Sequence, residues 1–163
     1  MSPETAFSII NTIILPPWLL LWFAPRWRVT DWVAHSILYP VLLGLAYVGI
    51  IAYTLVAGVG SDEVSFLTLE GVTAIFSHPW GVVVAWAHFL VFDLFVGAWE
   101  GRDARRRGIA HWKVAPCQFL TFMAGPLGLL CYLGLRNGRW LHEGGENGRH
   151  SHIKNSPRVQ RTA

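Results

Sequence analysis

Four apolar stretches, each of roughly 20 residues, constrain this chain more than any other feature of its sequence. They cover residues 7–24, 32–57, 80–99 and 114–135. Because a helix rises about 1.5 Å per residue, such lengths match the roughly 30 Å hydrocarbon core of a bilayer. The composition agrees, since 53% of the residues are hydrophobic and only 14% are charged. We therefore predict an all-α integral membrane protein with four transmembrane helices.

Two further segments complete the predicted organisation. Residues 64–77 are amphipathic but too short to span a bilayer, which favours an interfacial or re-entrant helix. Residues 137–163 are rich in glycine, histidine, asparagine and basic residues, a composition typical of a solvated, disordered tail. The sequence thus predicts a membrane domain over residues 1–136 and a polar tail over residues 137–163.

The lysines and arginines bracket the apolar stretches, so the net charge of +3 reflects membrane orientation and gives no reason to expect a nucleic acid partner. Four spans would place the first and third links on one face of the membrane. The first link carries Arg26 and Arg28, and the third carries a basic run within residues 102–113. The second link, residues 58–79, contains no lysine or arginine. The positive-inside rule makes that face cytoplasmic and puts both termini outside, although the basic tail argues against this. Since no signal or transit segment precedes residue 7, we expect a bacterial inner membrane protein.

The third stretch contains ionisable residues that are costly in hydrocarbon. His88 and Asp93 lie inside it, and Glu100 and Asp103 follow. At 100° per residue, all four fall within about 140° of one helix face. Only His88 and Asp93, about 7.5 Å apart along the axis, are close enough in depth to share a buried site. An ionisable group inside a span is a functional candidate by default, so this pair is the main candidate.

Simpler roles compete at these positions. Asp103 adjoins several arginines and can form an interfacial salt bridge, and Glu100 can extend its carboxylate to the headgroup region. His78, at the start of the span, can cover one mouth of the site. Asp93 can instead clamp a neighbouring helix through one of three polar residues, which are Gln118, Tyr39 and Tyr47.

The sequence gives no support for a cofactor. It lacks the histidine clusters that hold two irons in membrane hydroxylases, although a mononuclear site of His88, Asp93 and one further histidine stays open. Cys117 and Cys131 are 14 residues apart in one stretch, and two such positions of a straight helix cannot form a disulfide. No phosphate-binding glycine loop, haem motif or Ser-His-Asp order occurs. We therefore expect neither a metal nor another cofactor.

A recognisable motif runs through the third and fourth stretches. It consists of FSHPW at residues 76–80, AWAHFLVFDLF at residues 85–95, Asp103, and GPLG at residues 125–128. Over residues 7–135 this pattern resembles the ABA DEFICIENT 4-like family of small membrane proteins, named after plant neoxanthin synthase. The chain departs from the plant pattern at Ala98, where plant members carry an arginine, so the resemblance does not fix the substrate.

The resemblance implies a role in carotenoid metabolism, because neoxanthin synthase isomerises the epoxide violaxanthin to an allene. This isomerisation needs an acid for the epoxide oxygen and a base for a proton of the polyene, but no cofactor. We predict His88 and Asp93 as the catalytic acid and base, in either order, with Asp103 in support. The residues expected to bind the substrate are His78, Trp86, Phe92 and Glu100. The expected partners are membrane lipid and a carotenoid-like hydrophobic ligand.

A non-catalytic membrane protein that binds a carotenoid or organises a membrane complex is the alternative function. In that case the aromatic residues and the polar face of the third span serve packing. Small residues such as Gly44 and Gly49 in the second stretch leave a homo-oligomer open.

Overall fold

The structure, a computed structural model, describes residues 1–58 and 65–138. These two ranges contain helices and no strand, which confirms the all-α prediction for them. The helices are α1 (Pro3–Phe23), α2 (Arg28–Val33), α3 (Leu38–Val56), α4 (Leu69–Ser77), α5 (Pro79–Arg106), α6 (His111–Met123) and α7 (residues 125–138). Nearly all of the polar tail predicted for residues 137–163 lies outside the described residues, as does the acidic segment 59–64.

Helix α5, with 28 residues, is the longest of the described helices, and most of the others pack against it. It begins after His78, whose ring Nδ1 accepts a hydrogen bond from the Trp80 amide at 3.3 Å. Pro79 occupies the first turn, where its missing amide leaves no hydrogen bond unmade. Helices α1, α3, α4 and α6 all pack against α5. At its far end Gly108 adopts a φ of 63°, which favours glycine and turns the chain toward α6.

Helix α1 packs along α5 through the main apolar cluster. Its N-terminus is capped by Ser2, which accepts a hydrogen bond from the Thr5 amide, and the helix continues through Pro16 and Pro17. Burial of apolar side chains on the facing sides of α1, α3 and α5 stabilises the bundle. The buried members of this cluster are Ile14, Trp18, Leu21, Ala34, Leu43, Leu90 and Leu94.

The amphipathic segment forms α4, which is nine residues long and packs on the start of α5. Thr68 caps α4 by accepting a hydrogen bond from the Gly71 amide. The corner between α4 and α5 is tight, because a β-carbon at Gly81 would overlap the carbonyl group of Ile75. The end of α4 therefore lies in close contact with the start of α5.

The fourth apolar stretch is not one transmembrane helix, and the prediction of four spans is wrong on this point. Helix α6 ends at Met123, and Ala124 leaves the helical conformation with φ −157° and ψ 75°. The carbonyl of Ala124 accepts hydrogen bonds from the amides of Leu127 and Gly128, so a new helix begins there. Pro126 lies in the first turn of α7, where a proline is tolerated, although it disfavours a continuous helix.

The two helices fold back on each other as a helical hairpin, which we define as α6 and α7 with its tip at residues 124–126. The Sγ atoms of Cys117 and Cys131 lie 3.1 Å apart across it. A β-carbon at Gly128 would overlap Thr121, so the absence of a side chain allows this close approach. Both cysteines are free thiols, but the straight helix assumed when a disulfide was excluded is wrong, because the hairpin brings their sulfur atoms into contact.

Three helices of the described chain, α1, α3 and α5, are long and apolar enough to cross a membrane. Helix α6 has 13 residues, which correspond to about 20 Å and fall short of a bilayer core. The hairpin therefore reaches only part of the way along α5. This architecture of three long helices and a hairpin replaces the predicted four spans.

The start of α1 and the end of α7 lie at opposite ends of α5. Ala6 of α1 packs against Trp80 and Val83 at the start of α5. Arg136 of α7 approaches Asp103 near the end of α5, with Nε and Oδ2 3.5 Å apart. A straight fourth helix would have ended near the start of α1. The hairpin instead brings the chain back to the end of the bundle at which α6 begins.

Candidate functional site

The three carboxylates of α5 lie on the side that faces the hairpin. Asp93 lies against the tip, Glu100 contacts Thr121 in the last turn of α6, and Asp103 contacts Tyr132 and Arg136 of α7. Asp93 and Glu100 are seven residues apart, which places them on one helix face about 10.5 Å apart in depth. The three groups differ in their partners, so they also differ in what they can do chemically.

Asp103 is fully engaged in holding the hairpin base to α5. Its Oδ2 accepts hydrogen bonds from Arg107 Nε at 2.8 Å and from the Tyr132 hydroxyl at 2.7 Å, and Arg136 adds a second positive charge. These contacts match the salt-bridge role considered from sequence. A carboxylate with three such partners is suited to stability rather than to proton transfer.

Glu100 is completely buried between α5 and α6, so the idea that it extends to the headgroups is wrong. Its Oε1 accepts a hydrogen bond from the Thr121 hydroxyl at 2.8 Å, and its Oε2 has no partner. Gln118, also fully buried, donates from Nε2 to the carbonyl of Gly97 at 3.0 Å. Sequence reasoning missed Thr121 and its contact with Glu100, although a polar residue in an apolar stretch is a visible signal.

Asp93 is half-buried near the midpoint of α5, and its carboxylate lies against the hairpin tip. A β-carbon at Gly125 would overlap Asp93 Oδ1, so the carboxylate occupies the space that a side chain would take. No hydrogen bond or ion pair joins Asp93 to any other described residue. An unpaired carboxyl group at this depth is costly, which marks Asp93 as a functional candidate.

The three residues considered from sequence as polar partners of Asp93 contact other groups. Gln118 binds Gly97, the Tyr39 hydroxyl donates to the carbonyl of Ile13, and the Tyr47 ring packs against His88. Tyr47 belongs to α3, whereas Asp93 faces the hairpin. The purely structural explanation of Asp93 therefore lacks a partner within the described residues.

His88 lies on a different side of α5 from Asp93. Its side chain is exposed beside α3, with ring centroids 5.8 Å from Tyr47 and 4.7 Å from Phe92. The five-residue spacing corresponds to about 140° around the helix, which separates the two side chains laterally even though their depths are similar. The structure thus does not bring the predicted pair His88 and Asp93 together, and Phe92 stays with His88.

Trp86 lies on the Asp93 side of α5, two helical turns toward its start. Its Nε1 donates to Asn11 Oδ1 of α1 at 3.2 Å, and its ring packs 5.9 Å from that of Phe7. Because the hairpin ends at Asp93, it does not cover α5 between Asp93 and Trp86. We call this uncovered surface, with Phe7, Asn11, Trp86 and Asp93, the lateral notch. Asn11 was missed from sequence, where it is the lone amide inside the first apolar stretch.

The lateral notch combines one carboxyl group and one amide with aromatic rings. It opens sideways, because Trp86 and Phe7 are each 40% exposed on the outer surface of the bundle. Such a surface can accept a long apolar molecule from the bilayer and present its polar end to Asp93. His78 lies farther along α5 as the N-terminal cap, and its ring nitrogen is already used there.

No group of three or more histidine, cysteine, aspartate or glutamate side chains could hold a metal ion within residues 1–58 and 65–138. The amide of Asn11 is hydrogen-bonded to Trp86, and His88 lies on another side of α5 from Asp93. A carboxyl group such as that of Asp93 can act in general acid–base catalysis.

The protein-family comparison matches most of the described chain. The model of the ABA DEFICIENT 4-like family matches residues 5–132, which include nearly all of α1, the whole of α2 to α6 and the first part of α7. No curated protein and no solved structure matches the chain. The matched range contains Asp93, Trp86 and the hairpin tip.

Proposed function

Because the chain belongs to the ABA DEFICIENT 4-like family, which relates it to carotenoid and abscisic acid metabolism, we propose that it isomerises a carotenoid-like polyene within the bilayer. The substrate lies in the lateral notch, and Asp93 is the proton-transferring group. The observation that carries this proposal is the position of Asp93, which is unpaired, half-buried and next to the hairpin tip at the midpoint of α5.

The proposed reaction opens an epoxide on the end of the polyene. Asp93 in its acid form donates a proton to the epoxide oxygen, the carbon–oxygen bond breaks, and an adjacent polyene carbon loses a proton as the allene forms. The second oxygen of the same carboxyl group accepts that proton, so Asp93 ends in its acid form. No redox change occurs and no cofactor is required.

The remaining parts of the notch position the substrate. Asn11 and Trp86, which are linked by a hydrogen bond, supply a polar edge and a flat aromatic face for the polyene. Asp103 supports the site indirectly, since it fixes the hairpin base to α5 through Tyr132 and Arg107. Glu100 and Thr121 hold the end of α6 against α5 in the same way. Each of these contacts keeps the tip beside Asp93.

Membrane orientation follows from the positive charges. Three spans and a hairpin put both basic links and the start of the tail at one end of α5. This end faces the cytoplasm by the positive-inside rule, and the N-terminus lies outside. We propose the inner membrane of a bacterium as the location, as the sequence suggested.

Pigment extracts of a carotenoid-producing host test the proposal. We expect the wild-type chain to convert an epoxy-carotenoid to a product of equal mass, and Asp93→Asn to lower conversion at least about 100-fold while insertion is unchanged. His88→Ala is the matched control, because His88 lies on another side of α5. Normal conversion by Asp93→Asn would contradict the acid role of Asp93.

Two other outcomes have clear meanings. If His88→Ala removes conversion as completely as Asp93→Asn, the pair predicted from sequence acts together and the single-carboxyl mechanism fails. If the wild-type chain co-purifies with a carotenoid and leaves every pigment unchanged, the chain is the non-catalytic carotenoid-binding protein considered above.

A further inference from the structure

A second cavity lies at the opposite, basic end of the bundle, far from the lateral notch. Its volume is about 460 Å³, and it is enclosed by the end of α1, the α2–α3 link, the end of α5 and the start of α6. This volume falls within the range of ligand pockets. Its polar lining residues are Arg26, His35, Arg105, His111 and Gln118. No acidic side chain lines it, so the cavity carries a positive charge.

The cationic groups of this cavity are only partly neutralised. Arg105 forms an ion pair with Asp31 at 2.8 Å, and Asp31 lies outside the cavity lining. Arg26 forms no ion pair with any described residue. The N-terminus of α6, at His111, has no side-chain cap, so its free amides add a partial positive charge at the same place.

Two buried polar atoms in the cavity wall have no partner. His35 Nδ1 and Gln118 Oε1 are both without a hydrogen bond, and the Gln118 side chain is completely buried. Both side chains approach Gly101, where a β-carbon would come within 3.0 Å of His35 Cε1 and 3.1 Å of Gln118 Nε2. Unpaired buried polar atoms are costly, and a ligand with a proton acceptor and a hydroxyl donor would satisfy both.

An open aromatic cavity adjoins this basic one. The two share Pro25, Arg26, Ala110 and His111 in their linings. The outer cavity, of about 580 Å³, is rimmed by Phe23, Trp27 and Trp112, which are 81%, 60% and 72% exposed. Exposed tryptophans at the end of membrane helices are typical of the interface between headgroups and acyl chains.

We propose that the basic cavity binds the phosphate of an acidic phospholipid with a hydroxyl-bearing headgroup, such as phosphatidylglycerol. The phosphate lies between Arg26, Arg105 and the start of α6, and a headgroup hydroxyl donates to Gln118 Oε1. The acyl chains leave through the aromatic rim. That rim distinguishes a lipid from free phosphate, because free phosphate has no apolar part to cover it.

The bound lipid joins the three parts that meet at this end of the bundle. Arg26 follows α1, Arg105 lies in the last turn of α5, and His111 starts the hairpin. A phosphate held by all three stabilises the folded protein by an amount that grows with the logarithm of the lipid concentration once this exceeds the dissociation constant. The site therefore sets the stability of the hairpin base in membranes that contain acidic lipid.

Thermal unfolding of the full chain in a neutral detergent tests this proposal. The midpoint temperature is measured with added phosphatidylglycerol, phosphatidylcholine or inorganic phosphate, and native mass spectrometry counts the retained lipid. We expect phosphatidylglycerol to raise the midpoint and to be retained as one molecule, whereas the other two additions have little effect. Arg26→Gln should weaken apparent phosphatidylglycerol affinity about tenfold, the value of one strong charged contact.

Arg28→Gln is the matched control, because Arg28 lies in the same link but does not line the cavity. Both arginines are exposed, so neither substitution disturbs the core. If Arg28→Gln weakens binding as much as Arg26→Gln, the lipid is held by diffuse charge and the proposal fails. It also fails if phosphatidylcholine raises the midpoint equally, or if inorganic phosphate alone reproduces the effect.

Discussion

Asp93 can lie against the hairpin tip only because residue 125 has no side chain. A β-carbon at Gly125 would overlap Asp93 Oδ1, so Gly125→Ala should displace the carboxylate or the tip and lower pigment conversion at least about tenfold. Conversion in pigment extracts and the unfolding midpoint are measured together. Gly134→Ala is the control, because a β-carbon at that position of α7 meets nothing within 4 Å. Equal conversion by the two variants would contradict the tight contact.

His35 makes stability depend on pH. Burial, followed by the positive charges of Arg105 and Arg102, lowers the pKa of His35 from 6.5 to about 4, and the nearby Asp31 charge and a hydrogen bond to the Ala98 backbone only partly oppose this. Between pH 6.5 and about pH 4, His35 is therefore protonated in the unfolded chain but neutral in the folded chain. Stability should fall as the pH is lowered from 6.5 toward 4.

The test of this pH effect compares the unfolding midpoints of the wild type and His35→Gln across the same window. The variant cannot titrate at residue 35, so its midpoint should fall less as the pH decreases. If both proteins lose stability in parallel, the titration of other groups explains the pH dependence.

At the scale of elements, the hairpin can be tested through its two cysteines. Positions 117 and 131 of a straight helix would be about 21 Å apart, whereas the hairpin places their Sγ atoms 3.1 Å apart. A mild oxidant should therefore join Cys117 and Cys131 within one chain, and both free thiols should disappear from a thiol assay. Cys131→Ser is the control, in which the remaining thiol stays reactive or forms only dimers. Failure to cross-link the wild type would support a straight helix.

At the scale of the whole molecule, the hairpin decides on which side the tail begins. With three spans, the two basic links and residue 138, where the tail begins, lie at the same end of the bundle. All 13 lysines and arginines belong to these two links, to the end of α7 or to the tail that follows it. Four spans would divide them between two faces, against the positive-inside rule. We expect green fluorescent protein fused to the C-terminus to fluoresce in a bacterial host, and alkaline phosphatase fused there to be inactive. The opposite pattern would favour four spans with both termini outside.

The sequence by itself determined the helical class, the positions of the apolar helices and the acidic face of α5, because hydropathy and helical periodicity are local properties. It also singled out Asp93, since a carboxyl group in an apolar stretch is visible without any coordinates. The partner of each carboxylate was decided only by the tertiary structure. The short break at Ala124 turned one expected span into two packed helices, which brought Thr121 to Glu100, Arg136 to Asp103 and Gly125 to Asp93. The separation of His88 from Asp93 also depends on the tertiary structure. Helix α3 covers one side of α5 and the hairpin covers another, and contacts between residues far apart in the chain determine which side each covers.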